Sequence, residues 1–383
     1  MKKIAIFTNS IYTMGGEQRV VCLMANEFAK KNEVTIFTMD SKRKNEQLYH
    51  LDPKISLSFY RPYYLDAISF LLRAMTHLFP MIVYDCYPSM LKRAYCHEKY
   101  ADLMQELIKD KFDTVIATSW QLSIVLGMVC EKYNTKFTSI GWEHSSFEAY
   151  FREKYRYLYN YEELFKNKVR HLEHIIVLNE DFAQKYNEKL GLSCKVIYNP
   201  KSFCSKEKSD LTKKQFVTCG RFDHCKGFDL LIEAFSLFSE QDSEWQLVIA
   251  GDGTLKSKIQ KRVKELNLVD RVSFLGQIRH VDKLLKESSV YLLTSRFEGF
   301  PMSVTEACEL GVPTIAFDIP AMLPFKEKGV VETVPCYNVN LYAVKMLEIA
   351  NDYEKRLIMK EKAIAFAEDL TSEAIYRKWQ LYI

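Results

Sequence analysis

The sequence predicts an α/β protein made of two doubly wound domains with parallel sheets, and three observations support this prediction. The chain has 383 residues, more than a typical single domain of about 150 residues. Short runs of β-branched and aromatic residues alternate with helical patterns through most of the chain, as expected for parallel strands joined by helices. A polar stretch rich in Lys and Ser, residues 201–214, is typical of a linker and separates two such series.

Twelve short runs are predicted to be strands. The first domain is predicted to contain strands at residues 4–7, 34–39, 114–118, 136–140, 175–178 and 195–198. The second domain is predicted to contain strands at residues 215–219, 246–250, 272–275, 289–293, 312–317 and 330–334. Ligands of doubly wound sheets collect at the carboxyl ends of the strands. We therefore search the loops after these runs for a site, and expect the two domains to face each other across a cleft.

Composition and charge exclude several classes of protein. The hydrophobic content of 48% and the aromatic content of 13% exclude a largely disordered chain. A net charge of +4 and a pI near 8.3 lie below the basic values of nucleic-acid-binding domains, so no nucleic acid is expected as a partner. The apolar run near the start is too short for a signal peptide, and no apolar stretch is long enough to span a membrane. We expect a cytoplasmic protein.

The cysteines and histidines do not predict a metal site. The ten cysteines are scattered and form no CxxC pair, so we expect reduced thiols that pack in the core. His171 and His174 are spaced as on one helix face, but no thiol or carboxylate at ligand spacing accompanies them. No bound metal is expected.

Two carboxylates, Glu298 and Glu306, lie between two predicted strands. Residues 296–300 form the loop at the carboxyl end of the first of these strands and contain Glu298, while Glu306 lies eight residues later on a predicted helix. Pro301 suits a first helical position, which would direct the next backbone N–H groups toward a sugar hydroxyl or phosphate. The alternative is a capping box, in which Ser303 and Glu306 only satisfy helix N–H groups.

A second loop carries two cations. Arg221 and Lys226 flank the connection between a predicted strand and the next helix. A guanidinium, an ammonium and a helix N-terminus can neutralise a diphosphate without a metal, each charged hydrogen bond contributing roughly 1.5 to 3 kcal/mol. As solvated loop residues they would contribute little. The loop downstream that carries the carboxylates favours phosphate binding by Arg221 and Lys226. These two cations in turn favour a ligand-binding role for Glu298 and Glu306 over the capping box.

At three further places the sequence allows both a ligand-binding interpretation and an ordinary structural one. Gly15 and Gly16 lie between the first strand and its helix, where glycines allow close approach of a ligand, although no complete phosphate-loop pattern is present. Gly251 and Gly253 form a turn that suits a base or ribose, or a plain turn. His144 follows a predicted strand and either contacts ligand or makes structural hydrogen bonds.

Residues 60–90 are rich in aromatic and aliphatic side chains. Arg61 and Arg73 lie within this region, and Lys92 and Arg93 lie just beyond it. Such a pattern is typical of a segment at a membrane interface, with apolar groups inserted and cations on the headgroups. It is equally typical of a buried helix pair that covers the first sheet. Both alternatives stay open at this point.

Together these motifs resemble the retaining glycosyltransferase family 4, which has the GT-B fold. The resemblance is strongest over residues 215–318 and is carried by Gly220-Arg221, Lys226-Gly227, Gly251-Asp252-Gly253, Glu298-Gly299-Phe300-Pro301 and Glu306. It implies two facing Rossmann-like doubly wound domains. Residues 1–200 would form the acceptor-side domain and residues 201–370 the donor-binding domain, with a C-terminal helix at residues 371–383 crossing back to the first.

The resemblance also implies an activity. A sugar would pass from a nucleotide-diphosphate donor, UDP more than GDP, to a glycan or polyprenyl-diphosphate-linked acceptor with retention of anomeric configuration. The leaving phosphate would serve as the base, and no cofactor is implied. The expected context is cell-surface polysaccharide biosynthesis at the cytoplasmic side of the inner membrane, with peripheral membrane contact as a hypothesis.

Roles for individual residues follow from the same resemblance. Arg221, Lys226, Glu298 and His144 form the implied catalytic set. In it the two cations hold the diphosphate, and Glu298 lies by the hydroxyls of the donor sugar. Glu306 would bind the ribose. The other implied donor-binding positions are Gly15, Gly16, Gly220, Gly251, Gly253, Gly299, Phe300, Pro301 and Met302.

Two departures and three alternatives accompany this interpretation. Gln18 stands where the family usually has Glu, and residues 319–324 replace a loop that is commonly rich in Gly and Pro. The alternatives are a nucleotide-sugar epimerase or a phosphorylase on the same architecture, and a two-domain sugar-binding protein without catalysis. A dehydrogenase is disfavoured because neither half has GxGxxG followed by an acidic residue about 20 positions later.

Overall fold

The computed structural model describes residues 1–40, 49–61, 67–86, 88–154 and 156–383. It divides into two compact units. The first unit consists of Met1–Pro200 together with Ser372–Ile383, and the second consists of Lys201–Thr371.

The first unit contains a seven-stranded parallel sheet in the order β3-β2-β1-β4-β5-β6-β7. Its strands are β1 Lys3–Thr8, β2 Glu33–Thr38, β3 Ser56–Phe59, β4 Thr114–Ala117, β5 Thr138–Trp142, β6 His174–Val177 and β7 Lys195–Val196. Its helices before the second unit are α1 Gly16–Ala29, α2 Ala67–Leu78, α3 Pro88–Tyr95, α4 Glu98–Ile108, α5 Trp120–Lys132, α6 Phe147–Phe151, α7 Glu162–Val169 and α8 Glu180–Leu190, with a π-helix at Ile82–Cys86.

The second unit contains a six-stranded parallel sheet in the order β10-β9-β8-β11-β12-β13. Its strands are β8 Gln215–Cys219, β9 Gln246–Ala250, β10 Val272–Gly276, β11 Val290–Leu293, β12 Thr314–Phe317 and β13 Val331–Val334. Its helices are α9 Phe228–Ser239, α10 Lys256–Glu265, α11 Val281–Lys286, α12 Met302–Glu309, α13 Leu323–Glu327, α14 Val339–Asn351 and α15 Tyr353–Glu368, with 3₁₀ turns at His224–Lys226 and Pro320–Met322.

A last helix, α16 at Ser372–Trp379, belongs to the first unit. Trp379 is fully buried. Its ring meets the rings of Phe28 on α1 and Trp142 on β5 at centroid distances of 5.5 and 4.8 Å. Large aromatic side chains dominate the burial of apolar area, so α16 is part of this core.

The predicted pattern of strands is confirmed, with two corrections. All twelve predicted runs are strands. Several, such as β4 and β12, are buried at every position, and strands buried on both faces leave near-continuous apolar runs in the sequence. The run at residues 136–140 was placed two residues too early, since β5 spans Thr138–Trp142. The sequence also missed β3, an edge strand whose residues alternate Ser-Leu-Ser-Phe and are all partly or fully exposed.

Two other expectations were wrong. Residues 201–214 are not a free linker. Ser209 donates its N–H to Leu310 O at 2.9 Å and its hydroxyl to Ser288 O at 2.7 Å, so the segment is fastened to the second unit. His171 and His174 do not share a helix, because α7 ends at Val169 and His174 begins β6.

In the described ranges, no helix combines the length and apolarity needed to cross a bilayer.

Candidate active site

Three loops of the second unit lie side by side at the carboxyl edge of its sheet. They follow β9, β8 and β11, which are neighbours in the strand order. The order reverses direction between β8 and β11, and this is the point at which doubly wound sheets bind ligands. These loops and helix α12 carry eleven of the fourteen predicted site residues. The topology therefore gathers most of the predicted donor site within one unit.

Lys226 and Glu298 form an ion pair that joins two of these loops. Lys226 Nζ lies 2.6 Å from Glu298 Oε1, and the Ser295 hydroxyl donates to the same oxygen at 2.7 Å. The side chains are 24% and 11% exposed. Burial alone would lower the pKa of Lys226, but the Glu298 carboxylate more than offsets burial, so the pKa of Lys226 is raised. The ammonium therefore stays charged.

Backbone contacts hold the same two loops together. Gly227 has a φ of +64°, and a Cβ there would lie 2.0 Å from Thr294 O. Arg296 donates its N–H to Cys225 O at 2.7 Å, and the Thr294 hydroxyl donates to Lys226 O at 3.2 Å. Only glycine fits a left-handed position in such close contact. The spacing between Lys226 and Glu298 is therefore set by backbone packing as well as by charge.

The third loop approaches the first through glycine. Gly251 has a φ of +138°, and a Cβ there would lie 1.8 Å from Gly220 O. A Cβ on Gly253 would lie 2.6 Å from Phe222 O, and Phe222 donates its N–H to Asp252 O at 2.9 Å. These glycines let two backbones touch. Their contact with a donor stays a prediction.

Arg296 links the carboxylate loop to helix α9. Its guanidinium donates to both carboxylate oxygens of Asp229, at 3.0 and 2.7 Å, and to His224 O at 2.7 Å. Planar two-point pairing fixes geometry as well as charge. Sequence reasoning missed this pair, although an arginine two residues before Glu298 and an aspartate in the first turn after Lys226 were visible signals.

We expect Arg296→Gln to lower kcat/KM about tenfold, because the Lys226 and Glu298 side chains would lose their fixed spacing. Steady-state kinetics on the best donor would measure the effect, and Arg296→Lys is expected to recover only part of it. Arg262→Gln is the matched control, since Arg262 makes the same two-point pair with Glu233, at 2.6 and 3.0 Å, between α10 and α9. Equal losses in both variants would show that Arg296 only stabilises the fold.

Helix α12 begins differently from the sequence prediction. Pro301 is its N-cap residue and Met302 its first residue, so Ser303 lies inside the first turn and cannot form the capping box. That alternative was wrong, and so was the placement of Pro301 at the first helical position. Glu306 is 3% exposed.

The other predicted residues of this loop differ in burial. Phe300 is buried against Phe325 at a centroid distance of 5.0 Å, while Gly299 is partly exposed. In the loop after β8, the side chain of Arg221 is 69% exposed, and its Nε lies 3.8 Å from Asp223 Oδ2. Arg221 is therefore accessible to an arriving anion.

The remaining predicted residues, Gly15, Gly16 and His144, belong to the first unit. Gly15 is the N-cap residue of α1, and its N–H and carbonyl both bond the Tyr49 hydroxyl, at 3.1 and 3.2 Å. Burial lowers the pKa of His144 to about 3. Neither ring nitrogen of His144 has a hydrogen-bond partner among the described residues, so the imidazole is neutral and can accept or donate one bond.

Two carboxyls outside the predicted set of site residues lie in the first unit, Glu17 in the first turn of α1 and Glu143 directly after β5. Glu17 accepts from the Thr118 hydroxyl at 3.1 Å, and the fully buried Glu143 accepts from the Ser123 hydroxyl at 2.5 Å. Burial raises the pKa of each to about 7, and the nearby Glu143 charge adds to the rise at Glu17. Protonated carboxyls are therefore present in this unit near neutral pH.

We expect Glu143→Gln to flatten the dependence of stability on pH. The pKa of Glu143 is raised from 4.5 to about 7 in the folded chain, so its neutral form favours folding below 4.5 and this benefit is lost as pH rises to about 7. At pH 8 the variant should be more stable by on the order of 2 to 3 kcal/mol. Thermal melts between pH 5 and 8 would measure this, with Glu163→Gln, whose side chain is 76% exposed, as control. Parallel pH profiles for Glu143→Gln and the wild type would contradict it.

With this geometry in hand, comparison with known proteins defines the class. Over the whole chain the fold matches a mutant form of S. aureus TarM, solved with fondaparinux, α-GlcNAc-glycerol and UDP. The TM-score is 0.78 at 18% identity, and the match covers 100% of this chain and 99% of that one. It also matches Anabaena HepE, solved with UDP and glucose, at a TM-score of 0.74 with 15% identity, covering 100% and 99%. The two sheets therefore form the GT-B fold of glycosyltransferases.

Sequence relatives agree with the fold. An uncharacterized glycosyltransferase of Haemophilus influenzae is 27% identical over 99% of both chains. A Campylobacter jejuni N-acetylgalactosaminyltransferase that acts on a diNAcBac-PP-undecaprenol-linked glycan is 26% identical over 80% of this chain and 77% of its own. Residues 202–366 match the family model described as glycosyl transferases group 1. The protein is a glycosyltransferase, and its match to the group 1 model lies within the second unit.

Proposed function

We propose that this glycosyltransferase moves a sugar from a nucleotide-diphosphate donor, preferably a UDP-sugar, to a glycan or lipid-linked glycan, with retention of anomeric configuration. The observation that carries the proposal is the Lys226–Glu298 pair at the switch point of the second sheet. It places a permanent cation and a carboxylate side by side, as the diphosphate and the sugar hydroxyls of one donor require.

The cations have to stabilise the negative charge of the leaving diphosphate. As the bond between the anomeric carbon and the phosphate oxygen breaks, negative charge grows on that oxygen. Lys226 is held at the loop by Glu298, and Arg221 is accessible to solvent. Together with the N-terminus of α9, they would stabilise this charge without a metal. We expect no cofactor.

Retention requires attack on the face of the sugar from which the diphosphate leaves. The acceptor hydroxyl attacks the anomeric carbon from the side the diphosphate leaves, and its proton passes to the departing phosphate oxygen. No protein base is needed for this step. Glu298 would bind the sugar hydroxyls, and the buried Glu306 the ribose. His144 of the first unit would act as a neutral hydrogen-bonding group rather than a charged acid, because its pKa is about 3.

The names of relatives support a role in surface polysaccharide synthesis. Besides the Campylobacter enzyme with its undecaprenol-linked substrate, the relatives include a glycosyltransferase of amylovoran biosynthesis from Erwinia amylovora, 26% identical over 44% of this chain. A lipid-linked glycan is therefore the acceptor class that we propose, and the cytoplasm the location.

A donor screen tests the proposal. The purified protein, in EDTA, is incubated with UDP- and GDP-sugars, and release of nucleoside diphosphate is measured with and without membrane extract as acceptor. We expect one UDP-sugar to be consumed, and the anomeric coupling in the product NMR spectrum to match that of the donor. No donor bound or consumed would refute transfer, while an inverted product would refute retention only.

A further inference from the structure

Helix α2 turns polar residues toward the protein and apolar residues outward, the reverse of an ordinary surface helix. Its polar residues Ser69, Arg73 and Thr76 lie on the side of α3 and make hydrogen bonds there. The bonds join them to two backbone carbonyls and a tyrosine hydroxyl of α3, at 2.9, 2.8 and 3.0 Å. Ser69 and Thr76 are buried. Surface helices normally turn apolar residues inward and polar residues to water. In α2 the apolar residues face outward instead.

The outward side of α2 and the turn after it form what we call the apolar surface. Six side chains there are each more than half exposed: Ile68, Phe70, Leu71, Leu78, Phe79 and Met81. Across the described residues only twelve large apolar side chains are exposed to that degree, so half of them lie within these 14 positions. Concentrated exposure of this kind marks an interaction site. The alternative of a fully buried helix pair is therefore wrong.

The loop after α6 adjoins the end of the apolar surface. The Tyr84 hydroxyl donates to Tyr157 O at 3.1 Å, and the Tyr161 hydroxyl donates to Val83 O at 2.9 Å. Tyr157 itself is 40% exposed. Tyrosine is favoured at the boundary between apolar and aqueous phases, because its ring and hydroxyl suit different sides.

Positive charge borders the apolar surface. Within residues 67–95 and 150–161 there are two carboxylates, Asp85 and Glu153. Six cationic side chains lie in the same ranges, Arg73, Lys92, Arg93, Arg152, Lys154 and Arg156, of which Arg152 forms an ion pair with Glu162 just beyond them. All of these except Arg73 and Lys92 are exposed. The rim would therefore attract a surface of anionic headgroups.

We propose that the apolar surface inserts into the interface of a bilayer that contains anionic lipids. A helix of 12 residues is too short to span a bilayer, so α2 would lie along the interface with its apolar side chains among the acyl chains. The cationic rim would meet lipid phosphates. A two-fold dimer through the same surface would instead bring the cations of both copies together, which charge disfavours. The inference does not depend on which sugar or acceptor the enzyme uses.

Vesicle flotation tests the proposal without catalysis. The full chain is mixed with vesicles of phosphatidylcholine alone, or of phosphatidylcholine with phosphatidylglycerol. We expect flotation with the anionic vesicles, weakened by high salt because the charge contribution is screened. Leu71→Glu with Leu78→Glu should lower the partition coefficient at least about tenfold. The matched control is Leu341→Glu with Val344→Glu, two exposed aliphatic residues on α14 of the second unit, and it should float like the wild type.

Three results would overturn the proposal. One is no flotation with either vesicle. Another is flotation that falls equally in both double variants. The third is a concentration-dependent dimer, seen by light scattering, that the Leu71→Glu and Leu78→Glu changes dissolve, because a second copy would then occupy the surface. Consumption of a soluble donor by the flotation-deficient variant should match the wild type, which separates this inference from the proposed transfer reaction.

Discussion

Replacing Lys226 by alanine is expected to lower kcat/KM by about a hundredfold to a thousandfold, the cost of removing one charged donor from a developing anion. The change removes the cation proposed for the diphosphate and leaves Glu298, 11% exposed, without its ammonium partner. Affinity for UDP should fall as well, by about tenfold to a hundredfold, since one charged hydrogen bond contributes about 1.5 to 3 kcal/mol. Calorimetric titration with UDP and steady-state kinetics would measure the two effects separately.

The control for Lys226→Ala lies in the same unit. Lys345 is 23% exposed, compared with 24% for Lys226, and pairs with Glu348 at 2.6 Å and Glu332 at 3.3 Å. Lys345→Ala should leave UDP affinity and turnover unchanged. Glu298→Gln separates the partners further, because it keeps the lysine and should retain UDP binding while lowering turnover. Unchanged UDP affinity in Lys226→Ala would remove Lys226 from the donor site.

Replacing Glu309 by glutamine is expected to destabilise the second unit by about 3 to 5 kcal/mol, the usual cost of breaking a buried ion pair. Glu309 is 1% exposed and accepts from Lys201 Nζ at 2.5 Å, Lys208 Nζ at 2.6 Å and Ser205 N–H at 2.7 Å. The variant would leave the buried Lys201 ammonium with only the exposed Glu368 carboxylate. A drop in Tm of roughly 10 °C should follow.

Glu348→Gln is the control for this prediction. Glu348 also lies between two lysines, Lys345 and Lys355, each at 2.6 Å, but it is 43% exposed, so its loss should cost less than about 1 kcal/mol. Burial alone would raise the pKa of Glu309, yet hydrogen bonds from Lys201 and Lys208 bring it below its ordinary value of 4.5. The advantage of the wild type over Glu309→Gln should therefore shrink as pH falls below 4.5. A constant difference across pH would contradict the ion-pair explanation.

Sequence reasoning predicted the sheets largely because their central strands are buried on both faces. β4 and β12 are buried at every position, and such strands leave apolar runs that need no partner to be recognised. It also placed Lys226 and Glu298 at the same edge of the sheet, since all parallel strands of a sheet bring their following loops to one edge. The structure adds that the Lys226 ammonium and the Glu298 carboxylate form a direct ion pair, 2.6 Å apart.

What the sequence could not predict depends on contacts between distant segments. The pairing of Arg296 with Asp229 crosses 67 positions, and no local pattern distinguishes it from two solvated charges. The capping box failed because the N-cap residue is Pro301, two positions before Ser303. For residues 60–90 the composition left a membrane-interface segment and a buried helix pair open, because composition does not say which face of a helix meets the protein. Hydrogen bonds from Ser69 and Thr76 to α3 decide that.

The place of α16 in the core of the first unit bears on the order of folding during synthesis. Domains generally fold as they leave the ribosome, the earlier one first. Here Trp379 completes the packing around Phe28 and Trp142, and it is translated only after residues 201–371. The second unit therefore has all of its residues before the first has its final helix. Until Trp379 is translated, the core of the first unit lacks one of its large aromatic side chains. This favours contact with chaperones at that stage.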